Sequence, residues 1–190
     1  MIPAALPSNE EDRLEELRNL NLLDTIPEKA FDDLIWLASR SCKMPIALLS
    51  IIDRDRQWFK AKTGLHVQET PREIAFCAHA ILQPEPLVVN DALNDRRFSL
   101  NPLVTEDPNI RFYAGARVTT AKGYALGTVC VIDREPREIA PEDVRVLEIL
   151  ARQVGALLEL RRLGVRLNDL TSELRIEVRR AANAGSDGPR

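Results

Sequence analysis

The stretch RFYAGARVTTAKGYALGTVCVID (111–133) contains two runs of small, β-branched and aromatic residues on either side of Ala121-Lys122-Gly123. Runs of this composition favour strands, and a glycine in the connection supplies a positive φ where the turn requires one. The stretch therefore predicts a β-hairpin with strands over 111–120 and 124–133.

A second hairpin is predicted upstream, because the apolar run IALLSIID (46–53) is followed after two residues by RQWFKAKTG (56–64). The segment PLVVND (86–91) adds a short strand. EIAFCAHAIL (73–82) suits either a short buried helix or a strand. Residues 92–109 are rich in Asn, Asp, Pro and Arg, which is typical of a long loop with at most one helical turn.

Helices are predicted on both sides of these strands. Leucines at three-residue spacing predict a helix over residues 10–23, and the residues after Pro27 predict another that ends before Pro45. A long apolar-periodic segment predicts a terminal helix over residues 141–182. This order indicates an α+β fold with a central antiparallel sheet of about five to six strands.

The terminal helix carries two leucine-rich stripes. The first stripe, which includes Leu147 and Leu150, is expected to pack on the sheet. The second has the alternating three- and four-residue spacing of a coiled coil, so we expect it to form a homodimer interface. We call this second stripe the leucine seam; its members are Leu160, Leu163, Leu167, Leu170 and Leu174.

The composition argues against several classes of function. The net charge is −3 and only 5% of the 190 residues are aromatic, so neither a basic field nor a stacking surface for nucleic acid is expected. The longest apolar run, IALLSII, is too short to span a bilayer. Three dispersed cysteines and no visible signal-peptide pattern predict a cytoplasmic protein without a disulfide framework.

Seven blocks between about residues 11 and 162 resemble, in the same order, a bacterial GAF domain. They are LLDT…FDDLIWLA, PIALLSIIDRDRQWFKAKTGL, ETPREIAFCAHAI, VVNDALNDRRFSLNPLV, IRFYAGARV, LGTVCVID and LARQVGALLELR. Within the family, the sequence is most similar to the subgroup of GAF domains found beside histidine kinase or diguanylate cyclase modules. The resemblance implies terminal helices on one face of the sheet, a loop-covered small-molecule pocket on the other, and a regulatory role.

Four parts of the chain follow from this resemblance and from the helical patterns. Residues 1–8 are expected to form a flexible leader, and residues 9–162 the GAF domain. Residues 163–182 would extend the terminal helix for dimerisation and signalling, and residues 183–190 would form a disordered tail.

Strand alternation predicts part of the pocket. Arg111, Tyr113, Thr128 and Cys130 are expected on one face, together with Leu126, and that face mixes polar tips with apolar bodies as ligand pockets do. Strand ends and the resemblance add further candidate ligand-binding residues: Ser50, Asp53, Phe76, Cys77, His79, Asp91 and Phe98. Arg111 has an alternative role, in which it pairs with Asp91 or Asp95 and holds the long loop.

The ligand is not identified by these residues. Bilin-binding GAF domains attach the chromophore through a Cys directly followed by His, whereas Ala78 separates Cys77 from His79 here, so no chromophore is expected. Residues 94–108 do not match the cyclic-nucleotide signature of phosphodiesterase GAF domains. The two histidines and the nearby cysteine lack a zinc-binding spacing. The sequence therefore predicts an unknown small-molecule ligand, no cofactor and no metal.

Together these features predict a non-enzymatic sensor that dimerises and acts on a downstream histidine kinase or diguanylate cyclase protein. Two alternatives stay open. Some small GAF proteins reduce free methionine sulfoxide with cysteines, and a reductase of that kind would use Cys77 and Cys130 here. The other alternative is a ligand-free dimerisation scaffold, whose sheet face is filled by its own side chains.

Overall fold

The computed structural model describes the backbone of residues 1–185, with side chains through residue 177. Five α-helices and six strands occur in this part of the chain. In chain order they are α1 (Glu10–Asn19), α2 (Lys29–Ser41), β1 (Ile46–Ile52), β2 (Arg56–Thr63), β3 (Glu69–Pro71), a 3-10 helix (Arg72–Ile74), α3 (Phe76–Ala80), β4 (Leu87–Val89), α4 (Pro102–Thr105), β5 (Phe112–Thr119), β6 (Ala125–Asp133) and α5 (Pro141–Gly185).

The strands form one antiparallel sheet in the order β3-β2-β1-β6-β5-β4. Both predicted hairpins are present. The β1–β2 turn closes with the Asp53 amide donating to the Arg56 carbonyl, and Gly123 has the positive φ, 89°, expected of it in the β5–β6 turn. The predicted α+β class with a central antiparallel sheet is confirmed.

Two apolar layers cover the two faces of this sheet. On the helix-covered face, Phe31 and Ile35 of α2 and Leu147 and Val154 of α5 are buried in one cluster with the inward side chains of the strands. On the loop-covered face, a second cluster joins strand residues to side chains from α3 and the segment 92–110. The second layer contains several of the residues predicted to bind a ligand.

The first two helices are shorter than predicted. The helix expected over residues 10–23 ends at Asn19, because Asn21 and Asp24 adopt positive φ values of 45° and 59° that no α-helix can include. Leu20 and Leu22 are still buried, so these leucines belong to the core although they follow the end of the helix. The second helix begins at Lys29, and Pro27 precedes it.

Two β-bulges interrupt the strand alternation. Leu126 has no partner on β5, since Val118 pairs with Gly127 and Thr119 with Ala125. The extra residue turns Leu126 to the helix-covered cluster, so its expected place beside Thr128 on the other face is wrong. Lys60 bulges from β2 in the same way, and its buried ammonium lies 2.6 Å from a Glu28 carboxylate oxygen.

Helix α5 continues well past the sheet. Its last anchor is Arg161, whose guanidinium donates to the Leu20 carbonyl and to the Glu28 carboxylate. The five side chains of the leucine seam are 49–64% exposed. The helix extends to Gly185, three residues beyond the predicted end, and the rest of the predicted tail lies outside the described residues.

Candidate ligand-binding face

The 3-10 helix, α3 and the segment 92–110 form the cover of the loop-covered face. Asn101 connects its two parts through side-chain hydrogen bonds. Its side-chain oxygen accepts a hydrogen bond from the Leu103 amide and caps α4, whose first residue is Pro102. Its side-chain nitrogen donates to the Ile74 carbonyl in the 3-10 helix. One buried side chain therefore joins the 92–110 segment to the segment that carries α3.

The predicted residues Cys77 and His79 both lie on helix α3, which sets the directions of their side chains. Because residues two apart on a helix point in nearly opposite directions, the two side chains cannot act as a pair. Cys77 points into the sheet, where its Sγ lies 3.8 Å from Cys130 Sγ and accepts a hydrogen bond of 3.3 Å from the Tyr113 hydroxyl. His79 points outward, and its Nε2 lies 3.1 Å from the Ile2 carbonyl.

The structure brings five of the predicted residues together in a buried group that we call the thiol cluster: Ser50, Cys77, Tyr113, Thr128 and Cys130. Each of these residues is at most 2% exposed. Gly115 makes room for them, since a Cβ there would lie 2.2 Å from the Tyr113 hydroxyl. The cluster is thus closed to solvent and occupied by its own side chains.

Ionisation of the thiol cluster is uneven. Burial raises the pKa of Cys77, but hydrogen bonds from Cys130, Ser50, Thr128 and Tyr113 outweigh it and lower the pKa to about 7. Burial and the neighbouring Cys77 raise the pKa of Cys130 well above its ordinary value. The Ser50 and Thr128 hydroxyls have no other hydrogen-bond partner, so they are free to donate to a Cys77 thiolate.

Aromatic side chains fill the space above the thiol cluster. The rings of Phe76 and Phe98 stack with centroids 3.9 Å apart, and the Tyr113 ring lies 5.3 Å from that of Phe76. His79 meets the edge of Phe98 at 4.9 Å. These predicted ligand-binding residues therefore pack on one another.

The predicted charged residues have local structural partners. Asp53 contacts Arg56 at the β1–β2 turn, and the Asp91 carboxylate accepts hydrogen bonds from the Leu93 backbone amide and the Asn94 side-chain nitrogen. Arg111 donates to the carbonyls of residues 104 and 110. The alternative pairing of Arg111 with Asp91 or Asp95 is therefore wrong; Asp95 instead pairs with Arg97.

The leader is attached to this cover. The Ile2 amide donates to the Arg97 carbonyl, while the Ile2 carbonyl contacts His79. Burial and the nearby Arg97 guanidinium lower the pKa of His79, so the neutral imidazole is favoured at this contact.

A cavity of about 220 Å³ lies on the same face but to one side of the thiol cluster. Its floor is formed by residues of β1, β2 and β6, and its walls come from residues 65–70 and 103–110. Over the described residues, its lining includes none of the side chains predicted to bind a ligand. The sequence signal that could have indicated this cavity was Gln57, a polar residue that shares a face of β2 with the apolar Phe59.

Two further searches of the described residues give negative results. They contain no group of three or more His, Cys, Asp or Glu side chains placed to hold a metal ion. Within the same part of the chain, no helix has the length and apolarity needed to cross a membrane.

Solved structures share the fold at low sequence identity. The GAF domain of a phosphoenolpyruvate-protein phosphotransferase from Coxiella burnetii superposes with a TM-score of 0.61 at 18% identity, covering 83% of this chain and 98% of that domain. A type II free methionine-R-sulfoxide reductase from Thermoplasma acidophilum has a TM-score of 0.57 at 13% identity, covering 68% of this chain and 90% of the reductase. These likenesses concern the fold alone.

Sequence comparison is more specific. A cyclic di-GMP phosphodiesterase of Pseudomonas aeruginosa is 46% identical over 151 residues, which are 79% of this chain. The chain spans only about a quarter, 26%, of that relative's length. The GAF domain profile matches residues 27–158, and the chain therefore belongs to the GAF domain family.

Proposed function

We propose that the chain is a sensory GAF module of bacterial signal transduction that binds a small molecule, catalyses no reaction itself and dimerises through the leucine seam. The observation that carries this proposal is the construction of α5. One continuous helix is buried against the sheet at Leu147–Leu158 and exposes five regularly spaced leucines beyond Leu158. Such a helix can carry a change in the domain to a partner helix.

Close packing supports this coupling. Gly155 of α5 approaches β5 so tightly that a Cβ would lie 2.8 Å from the Thr119 carbonyl oxygen. Beyond it, Glu159 accepts a hydrogen bond from the Ala121 amide in the β5–β6 turn. The opposite face of β5 carries Tyr113 of the thiol cluster. If a ligand on the loop-covered face displaced β5, the displacement would therefore be transmitted directly to α5.

The Pseudomonas relative suggests the setting of the module. Since the matched region is a quarter of a cyclic di-GMP phosphodiesterase, we propose that this chain regulates proteins of cyclic di-GMP turnover, such as a diguanylate cyclase. A histidine kinase is the other proposed partner. We place the protein in the cytoplasm, without nucleic-acid or membrane partners, in keeping with its net charge of −3.

A thiol reductase is the second candidate, favoured by the 3.8 Å separation of the Cys77 and Cys130 sulfurs. Burial argues against it, because a substrate sulfoxide must reach a sulfur atom and both cysteines are at most 2% exposed. Turnover of free methionine sulfoxide that is lost in Cys77→Ser would favour the reductase over the sensor.

The dimer is tested by replacing two seam residues, Leu163→Lys with Leu170→Lys, and measuring the mass by analytical ultracentrifugation. We expect a dimer for the natural chain and a monomer for the variant, because four lysines would meet across the seam. The matched control is Ile176→Lys, which changes an exposed apolar residue of the same helix off the seam and should stay dimeric. A dimer that persists in the double variant contradicts the proposal.

A further inference from the structure

We propose that the cavity beside the thiol cluster binds a small, uncharged, largely apolar molecule with one hydroxyl group, of which phenol is the simplest aromatic example. The inference rests on the proposed sensory function and names its ligand class. It concerns the 220 Å³ cavity between β1, β2, β6 and the segments 65–70 and 103–110.

The lining sets the apolar character of the ligand. Most of it is aliphatic or aromatic, from Leu48 and Phe59 on the strands to Leu65, Leu103 and Ile110 in the walls. An apolar protein cavity of about 150 Å³ is large enough to hold benzene. A cavity of about 220 Å³ therefore suits one ring with a few substituents, and is too small for a dinucleotide.

Charge excludes anionic ligands. Among the described residues, the lining contains no Lys, Arg or His, and its one ionisable residue, Asp107, is exposed to solvent. A phosphate or carboxylate placed here would lose its hydration and find no cationic partner. Phosphorylated messengers are thus poor candidates for this cavity.

Gln57 is the reason that the ligand should carry a polar group. Its side chain lies in the lining, is 4% exposed, and has one amide end paired with the Thr70 hydroxyl at 3.1 Å. The other end, assigned as Oε1, is itself closed to solvent and has no hydrogen-bond partner, so a ligand pairs with it by turning the Gln57 amide toward the cavity. An unpaired buried amide end is costly, so a ligand that pairs with it gains affinity.

The identity of that free end favours a hydroxyl on the ligand. A Thr hydroxyl can both donate and accept, so Thr70 can pair with the nitrogen or with the oxygen of the Gln57 amide. The end left free is accordingly an acceptor or a donor. A ligand hydroxyl satisfies either one, since it carries both functions.

A ligand in the cavity would contact the 103–110 part of the cover and stabilise its position on the sheet. Leu103 and Ile110 face each other across a backbone hydrogen bond from the Ile110 amide to the Leu103 carbonyl, and both line the cavity. Arg111, the next residue, donates to the Val104 carbonyl and leads into β5. A ligand between these residues and the sheet would therefore act on the strand that packs against α5.

The experiment measures binding of phenol, toluene and benzoate to the full chain by ligand-observed and protein-observed NMR titration. We expect saturable binding of phenol, about five- to tenfold weaker binding of toluene, which lacks the hydroxyl, and no binding of benzoate. Absence of phenol binding, or equal affinities for phenol and toluene, would overturn the inference.

Two variants locate the site. Gln57→Leu should bring the phenol and toluene affinities together, because the amide no longer distinguishes them. Leu103→Trp should abolish binding of both by filling the cavity, while its control Leu93→Trp, at an exposed leucine outside the lining, should bind as the natural chain does. Unchanged phenol binding in Leu103→Trp would refute this location.

The same samples separate this inference from the proposed function. If sedimentation shows the dimer intact but phenol does not bind, the ligand class fails and the dimeric module stands. If phenol binds as expected but the seam variant does not dissociate, the dimerisation proposal fails instead.

Discussion

The loop-covered face of the sheet has two halves that differ in how the cover meets the strands. In the filled half, Phe76, Phe98 and Tyr113 interlock above the two cysteines and leave no room for a ligand. In the open half, the shorter side chains of Leu65, Leu103 and Ile110 leave a cavity of about 220 Å³ over β1 and β2. Similar apolar strands thus give a closed core or an open cavity, depending on the size of the covering side chains.

The largest expected effect distinguishes the two halves by truncation. Phe98→Ala should lower the free energy of unfolding by about 3–5 kcal/mol, because it removes a fully buried ring stacked on Phe76. Leu103→Ala, in the wall of the open half, should cost about 1–2 kcal/mol, since that side chain already borders empty space. Urea unfolding followed by circular dichroism measures both, and equal costs would contradict the distinction.

A smaller effect concerns the ion pairs that hold the start of the cover. Glu10 of α1 contacts Arg13 and Arg72, the first residue of the 3-10 helix that leads to α3. Burial raises the pKa of Glu10, but hydrogen bonds and charges from the two arginines outweigh it and lower the pKa to about 2. The folded state therefore binds this proton less readily than the unfolded chain does.

The sign of the pH dependence follows. The contribution of Glu10 is fully present above its ordinary pKa near 4.5 and is lost as the pH falls toward 2. Allowing for solvent screening, we expect it to be about 1–2 kcal/mol. Urea unfolding at pH 6 and pH 3 should show a smaller loss of stability on acidification in Glu10→Gln than in the natural chain. An identical loss in both proteins would contradict this role.

The smallest effect lies within the thiol cluster. Tyr113→Phe keeps the ring that fills the cover but removes the hydroxyl that donates to Cys77. We expect a stability loss of about 0.5–1.5 kcal/mol and a rise in the pKa of Cys77. Thiolate absorbance near 240 nm, titrated in a Cys42→Ser background, measures the pKa, and a fall would contradict the assigned hydrogen bond.

Prediction from the sequence succeeded where one strand or helix decides the outcome. Alternation correctly separated Tyr113 and Cys130 from Phe112 and Val131, because a residue's face follows from its position along a regular strand. It failed at Leu126, where a bulge adds one residue. Whether the bulge occurs depends on pairing with β5, so the sequence of β6 alone could not reveal it.

The candidate site was predicted in part. Cys77 and Cys130, 53 residues apart in sequence, were both assigned to the loop-covered face and are neighbours there. The prediction that such residues line an open pocket did not anticipate the stacking of Phe76 on Phe98, which depends on how α3 and the 92–110 segment fit together. Gln57 was missed because the block RQWFK was interpreted only as a strand and as part of the family resemblance.

The amino-acid sequence by itself determined the family, through the resemblance of seven ordered blocks. It also determined the α+β class, both hairpins and the leucine periodicity of α5, since these depend on local patterns of period two or about 3.5. Only the tertiary structure decided which half of the loop-covered face is filled. The reason is that a cavity is the space left between side chains from distant segments, here residues 65–70 and 103–110 above β1 and β2. Its size depends on packing distances that no local pattern encodes.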